Sequence, residues 1–519
     1  MKVADWIEYH GAITPAQVAV RDIAGDRTLT YAQLDDRIGR LAGALASRHG
    51  VGHGDRVVVL AKNCLETLEI LFACLRLGAI LVPVNWRLAY PEVEFICKDA
   101  QPRVVAYEAE FGEAAVAVGR LVGAGMVEIA SRQPETGYDW LIEQPAAPGW
   151  RPVEVDWEET WMILYTSGTT GNPKGAMLSY RMMYFNVLNF TSPVRLGSDS
   201  AFLCVMPLFH TGGLNCYLTP VLFHGGTVIV MREFDAPLAL AVLADPAMGV
   251  THFFGVPQIY TALSQCDGFD TARFPAMVIA GVGGAPASDA LVKLWLDKGV
   301  PLQPAYGMTE IGPAITITPV HRVLEKLGSS GRPAMNLELK IVDRQGMPVE
   351  PGAIGEIMVR GPVLMSGYWR NPQRSAEAFQ DGWFRTGDAA RMDADGFVFI
   401  VDRFKDMYIS GGENVYPNEV ENAISSMPGV VSVAIIGVPD ERWGETGCAY
   451  IVQQRGAGLT DEALREYCAG RLAKYKIPKT FRFVEDLPRT ASGKVLKGEL
   501  RRMHLSGNDS TQGDGRLAH

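Results

Sequence analysis

The sequence predicts an α/β protein: a large N-terminal domain of doubly wound sheets carrying a small β-rich subdomain, then a small α+β C-terminal domain. Three observations predict it. Short apolar runs alternate with long amphipathic stretches through the first part of the chain. From about Leu337 strand-like alternation becomes dense with Gly and Pro. After Asp402 helical and strand patterns alternate again in a unit of their own.

Each element has its own signal. Thr30 precedes an amphipathic stretch to His49, with Leu34, Ile38, Leu41 and Leu45 at helical spacing. Residues 56–60 follow Gly54-Asp55 as a short apolar run, the pattern of a buried strand. A helix is expected from about Leu65 and a strand over 79–83. Further strands are expected over 161–165, 201–206, 227–231 and 277–280. Beyond Leu337, Pro351-Gly352, Gly355, Gly361-Pro362 and Gly367 punctuate short strands. In the last part, helices are expected over 418–427 and 462–473, the second capped by Thr460, with strands over 430–437 and 448–452. The expected division is 1–402, with the β-rich part about 337–402, then 403–505, then a polar, disordered tail over 506–519.

Composition narrows the function. The 519 residues carry 48 basic and 58 acidic side chains, a net charge of −10. That balance argues against a nucleic-acid binder, which needs a basic face. The eight cysteines form no CxxC and lie mostly in apolar runs, so they read as reduced, buried side chains and not as metal ligands. The longest apolar stretch, 70–84, is broken by Arg76 and ends at a proline, too short for stable membrane insertion. With no secretory signal at the N-terminus, a cytoplasmic enzyme is expected.

One segment carries chemistry on its face. Residues 165–175 read Tyr-Thr-Ser-Gly-Thr-Thr-Gly-Asn-Pro-Lys-Gly after an apolar strand. Glycines let backbone N–H groups approach phosphate oxygens, hydroxyls add donors, and Lys174 adds charge. The spacing is not that of a Walker A loop.

This loop resembles the phosphate loop of the adenylate-forming enzymes: acyl-CoA synthetases, luciferases and peptide-synthetase adenylation domains. Five further segments resemble that family's motifs and stand in its order: Gly283-Gly284-Ala285-Pro286, Tyr306-Gly307-Met308-Thr309-Glu310, Trp383 to Asp388, Asp402-Arg403-Phe404-Lys405, and Pro488 to Lys494. The resemblance implies ATP, Mg²⁺ and coenzyme A as cofactors and two half-reactions, adenylation of a carboxylic acid and then transfer to a thiol.

It also implies roles. Thr166, Ser167, Gly168, Thr169, Thr170 and Lys174 would hold the phosphates. Glu310 would bind Mg²⁺, a hard cation that prefers carboxylate oxygen, and Thr309 would touch the α-phosphate. Gly284, Ala285, Pro286 and Tyr306 would flank adenine, Asp388 would hold the ribose, and Arg403 would add a cation and donors near the ribose or phosphate. Lys494 would drive adenylation by reaching carboxylate and α-phosphate together. Lys405 would be the hinge on which a mobile C-terminal domain turns, and Gly411 and Gly412 would line the pantetheine path. His210 would stand between acyl and thiol sites as a positioning group.

Thr211, Gly212, Asn215, Gly283, Met308 and Gly312 surround the expected acyl pocket, a mainly apolar or small lining. It suits a small hydrophobic carboxylic acid, whether fatty, aryl or terpenoid. Phe234-Asp235 lies away from the pocket position, which disfavours an amino acid. No carrier domain follows residue 505, so coenzyme A is the expected acceptor. A carrier-protein acceptor, a luciferase-like oxygenase and a non-catalytic ATP-binding scaffold are the alternatives. The family resemblance offers a homodimer.

Overall fold

A computed structural model describes residues 3–144, 150–166, 173–403, 406–490 and 493–506. The phosphate-loop residues Ser167, Gly168, Thr169 and Thr170, the hinge residue Lys405, and the tail beyond Ser506 lie outside the described residues.

Two large sheets form the N-terminal domain. The first has six strands in the order Gly125–Ile129, Val104–Glu108, Arg56–Leu60, Ile80–Pro83, Thr160–Thr166, Lys174–Ser179. All neighbours are parallel except the last pair. The second has nine strands, with Leu302–Tyr306, Ile279–Val282, His252–Gly255, Ala201–Cys204, Thr227–Val230 and Val18–Asp22 as its parallel centre. Parallel strands need crossover helices, so both faces are covered and the strands read as continuous apolar runs.

The helix Leu65–Leu77 shows the consequence, for every residue in it is buried. Its large apolar side chains each contribute about 1.5–3 kcal/mol on leaving water. Its charges are all matched: Glu66 by Arg27 at 2.6 Å, Glu69 by Arg37 and the Tyr138 hydroxyl, Arg76 by Asp5 at 2.7 Å. The apolar run 70–84 is thus core helix and strand, and among the described residues no helix is long and apolar enough to cross a membrane. The amphipathic helix Tyr31–His49 begins at the expected Thr30, which forms a reciprocal capping box with Gln33.

Residues 338–403 form the expected β-rich unit, an antiparallel five-stranded sheet centred on Trp383–Met392. The C-terminal domain is a second five-stranded sheet backed by the helices Pro417–Ser425, Asp461–Ala469 and Lys497–Ser506. Several predicted boundaries shift by two to four residues. The strand expected over 277–280 runs Ile279–Val282, because only there does it pair with its neighbours. The helix expected to reach 473 stops at Ala469, where Gly470 occupies the cap position. Seven of the eight free cysteines are buried and Cys266 is partly so.

Candidate active site

The phosphate loop springs from a hairpin. Thr166 pairs with Lys174 in antiparallel register, so the strands Thr160–Thr166 and Lys174–Ser179 meet at the two ends of the glycine-rich segment. Segment 366–369 runs beside the second strand: Ser366 N–H donates to Met177 O at 3.0 Å and Trp369 N–H to Gly175 O at 2.7 Å. That fixes Tyr368 with Lys174 Nζ 5.1 Å from its ring centroid.

Tyr368 in turn donates from its hydroxyl to Glu310 Oε1 at 3.1 Å. Glu310 lies in the single turn Thr309–Ile311 and is only 7% exposed, with Thr309 equally buried. Burial and the adjacent Glu310 push the Tyr368 phenol far up, so it remains a donor. The turn needs Gly307 before it. A Cβ there would lie 1.4 Å from the Pro313 carbonyl oxygen, so no other residue fits.

The nucleotide-side cluster comes from three strands. Tyr306 ends the strand Leu302–Tyr306, and its hydroxyl donates to Asp388. Asp388 and Arg403 are direct partners on neighbouring antiparallel strands, and Arg403 Nε sits 3.1 Å from Asp388 Oδ1. Asp388 is 3% exposed. Burial would lower the Arg403 pKa, but Asp388 and Tyr306 beside it raise it overall, so the guanidinium stays charged. A carboxylate has about four lone-pair sites. Asp388 therefore keeps acceptor capacity for a diol after meeting Tyr306 and Arg403. Gly284 follows the strand Ile279–Val282 with φ +78°, and a Cβ on it would touch Val256 at 3.3 Å.

The C-terminal domain reaches the same place. Lys494 lies in a tight loop: its N–H donates to Thr490 Oγ1 at 3.0 Å, while Thr490 N–H donates to Lys494 O at 2.7 Å. Gly493 sits against the N-terminal domain, where a Cβ would meet Val256 Cγ2 at 3.2 Å and Gln258 Oε1 at 3.4 Å. Val256 thus touches both Gly284 and the lysine loop. Gly411 and Gly412 form an exposed hairpin turn elsewhere on the C-terminal domain, at φ +61° and +87°. The structure brings Lys494 to the N-terminal domain and leaves Gly412 with open space around it.

His210 precedes the turn Thr211–Gly213, and its Nδ1 accepts from Gly212 N–H at 3.1 Å. Burial, then the charge of Lys494, lower its pKa to about 4. The neutral imidazole is favoured in the folded state. The stability it contributes is complete above its ordinary value of 6.5 and is lost as pH falls toward about 4. We expect the His210 imidazole resonance to show no titration between roughly pH 5.5 and 8; an NMR midpoint near 6.5 would contradict this packing.

Several residues expected around the acyl group gather near a side chain that sequence reading missed. Phe254 lies at the end region of the strand His252–Gly255, and Gly212 and Gly283 both face its ring, each with Cβ space 3.6 Å from ring carbons. Gly281 is tighter still: a Cβ would come 2.4 Å from the Tyr217 hydroxyl and 2.9 Å from Phe254 Cδ2. The rings of Phe254 and Tyr217 stand 5.6 Å apart. Asn215 is fully buried and donates to Thr211 Oγ1 at 3.2 Å; its Oδ1 meets no partner among the described residues. Met308 packs partly buried against the core, while Gly312 lies beside Met182 and Val363 and does not join the Phe254 wall. Phe254, Tyr217, Val256 and Gln258 belong to no short motif and gave no chemical signal. Only Gly367-Tyr368, an aromatic placed after a turn glycine, hinted at its role.

The donor set fits the cofactors. A single buried carboxylate suits Mg²⁺, which keeps waters and phosphate oxygens for the remaining positions; no cluster of three or more metal-ligating side chains occurs among the described residues. Comparison with known proteins agrees. The family profile "AMP-binding enzyme" matches residues 7–369 and "AMP-binding enzyme C-terminal domain" matches 419–494. The chain is 40% identical to a feruloyl-CoA synthase of Amycolatopsis sp. over 504 residues, covering 96% of this chain and 98% of that one. It is 38% identical to the indoleacetate–CoA ligase of Aromatoleum aromaticum over 506 residues, covering 97% and 98%. The o-succinylbenzoate CoA synthetase of Bacillus subtilis, solved in complex with its acyl-adenylate intermediate, superposes with a TM-score of 0.88 at 31% identity, covering 99% of this chain and 100% of that one. The same synthetase, solved with ATP and magnesium, superposes with a TM-score of 0.85 at 31% identity, covering 96% and 99%.

Proposed function

Because the chain belongs to the AMP-binding enzyme family and is an AMP-forming acid–thiol ligase, we propose that its acid carries an aromatic ring on a short linker. The enzyme uses ATP, Mg²⁺ and coenzyme A. It joins a carboxylic acid to AMP with loss of pyrophosphate, then passes the acyl group to coenzyme A with loss of AMP.

The wall formed by Phe254 with Gly212, Gly281 and Gly283 supports the aromatic reading. Gly212 and Gly283 bring bare backbone beside the Phe254 ring, and Gly281 packs tightly on Phe254 and Tyr217, so this wall is aromatic and free of branched side chains, a surface on which a second ring packs well. Two relatives named for ring-bearing acids, feruloyl and indoleacetate, support it further.

In this reading the residues divide the work as follows. Thr166, Lys174 and the loop between them hold the β- and γ-phosphates, with Thr309 on the α-phosphate. Glu310 holds Mg²⁺, which neutralises phosphate charge when bound. Asp388, held beside Arg403, accepts from the ribose hydroxyls. Tyr306, pinned through its hydroxyl to Asp388, presents its ring to adenine opposite Gly284, Ala285 and Pro286. Lys494 approaches the acid carboxylate and the α-phosphate together and offsets the charge that builds as two anions meet. Neutral His210 positions the acyl end and adds no second cation there. For thiol transfer the C-terminal domain turns about Lys405 and brings Gly411 and Gly412 alongside the pantetheine arm. The free cysteines suit a reducing compartment, which supports a cytoplasmic location. Self-association as a homodimer is the family's suggestion and is read by light scattering.

The test is coenzyme A consumption across a panel of acids. Aryl-propenoic and aryl-acetic acids are expected to exceed straight-chain acids of equal carbon number in kcat/KM by up to about tenfold, since a well-placed ring pair adds about 0.5–1.5 kcal/mol beyond its area burial. Equal or better turnover of straight-chain acids would overturn the aromatic assignment and leave the ligase reaction intact.

A further inference from the structure

Beside the phosphate hairpin, on the side lined by Lys174, a surface cleft of about 280 Å³ opens. It is lined by Phe95, Asp99, Lys174, Trp369, Arg370 and Arg374, together with backbone around Gly175 and Asn371. Its charge is positive, with three cations against the single carboxylate of Asp99. That carboxylate already accepts from the Tyr165 hydroxyl at 2.6 Å. Arg374 pairs with exposed Glu377 at 3.0 Å, a contact of a kind that is weakly held in water. Arg370 donates to the Gln101 side-chain oxygen at 2.6 Å, a neutral partner. Arg56 also lies over the Trp369 ring, its guanidinium 5.6 Å from the ring centroid, and it donates to the carbonyl oxygens of Ala100, Gly54 and Gln101. Arg56 and Arg370 lie close enough for each charge to oppose the other, and burial together with Arg370 lowers the Arg56 pKa.

Two further features mark the cleft as more than a solvated charge patch. Arg370 has φ +50°, a left-handed backbone that a long side chain adopts at a cost and that Gly or Asn would take more easily. The cleft is also joined to the reacting centre, since Lys174 lies over the Tyr368 ring and Tyr368 bonds Glu310.

We propose that this cleft is the exit port that receives pyrophosphate after adenylation, with Arg370 and Arg374 as its binding residues. In the adenylation step a carboxylate oxygen forms a bond to the α-phosphorus. The bond from that phosphorus to the bridging oxygen breaks, and its electron pair leaves on pyrophosphate; no proton moves. The product carries four negative charges when fully ionised and enters a cleft that shares Lys174 with the phosphate loop. A hand-over between the loop and the two arginines lets it depart before the C-terminal domain turns. The inference rests on the AMP-forming reaction.

The test is acid-dependent ATP–pyrophosphate exchange in the full chain, with inorganic pyrophosphate as the varied ligand. Wild-type exchange checks the reaction itself, so its absence would overturn both readings. Given exchange, Arg370→Asn and Arg374→Ala are each expected to raise KM for pyrophosphate by about tenfold, the worth of one charge-assisted hydrogen bond. KM for the acid is expected to hold, and Arg374→Lys is expected to restore much of the loss. Arg370→Asn relieves the left-handed backbone, so its Tm is expected to hold or rise, which separates lost binding from lost folding. An unchanged KM for pyrophosphate, or a rise in KM for coenzyme A alone, would overturn the proposal; the second would assign the cleft to a coenzyme A phosphate.

Discussion

Lys494→Ala is expected to lose acid-dependent ATP–pyrophosphate exchange by about 100- to 1,000-fold, the usual cost of removing one donor aimed at developing charge. Thioester formation from supplied acyl-adenylate is expected to continue near the wild-type rate. The structure explains the split. The lysine loop is shaped by Thr490 and seated on Val256 and Gln258. Its charge is felt at His210, so Lys494 stands near the His210 turn in this domain orientation. The Gly411–Gly412 turn lies elsewhere on the same domain, exposed. One rigid domain cannot present both segments at once, so each half-reaction depends on its own. Lys494→Arg is expected to recover only part of the loss, because a planar guanidinium does not reproduce a compact ammonium. Separate assays of the two half-reactions check this; equal loss of both would contradict the two-orientation reading.

Glu310→Gln is expected to lower exchange by about a hundredfold at ordinary Mg²⁺ and to shift the half-maximal Mg²⁺ concentration upward, since several kcal/mol of charge stabilisation depend on the ion. The substitution is nearly isosteric. A glutamine oxygen still accepts from the Tyr368 hydroxyl, so the turn Thr309–Ile311 keeps its side-chain contact. What is lost is the negative charge on a hard oxygen ligand. A magnesium titration of the exchange rate is the measurement. A wild-type magnesium curve in Glu310→Gln would remove this residue from the metal site and leave it a merely structural acid bonded to Tyr368.

Much of this site was legible in the sequence because its chemistry sits in short segments. Tyr306, Thr309 and Glu310 share one strand end and turn, and Trp383 to Asp388 share one strand. What spacing could not give was the pairing between segments. Asp388 meets Arg403 because two antiparallel strands happen to align them, and Tyr306 joins from a different sheet. Phe254 reads as one more apolar strand residue until three glycines are seen around it. Arg370 and Arg374 read as surface charges until Asp99 and Lys174, distant in the chain, are brought beside them. Fold legibility followed the same rule. Periodicity found the strands and helices, whereas their ends were set by pairing partners, as at Ile279, or by a cap, as at Gly470.

The central claim is that the acid's own carboxylate attacks the α-phosphorus of ATP. It is tested most directly with a substrate acid labelled with ¹⁸O in both carboxylate oxygens, followed by mass spectrometry of the products of coenzyme A ligation. The account predicts one labelled oxygen in AMP and none in pyrophosphate, because the attacking oxygen stays on phosphorus when the thiol expels AMP. Label in pyrophosphate or in inorganic phosphate, with unlabelled AMP, would contradict it.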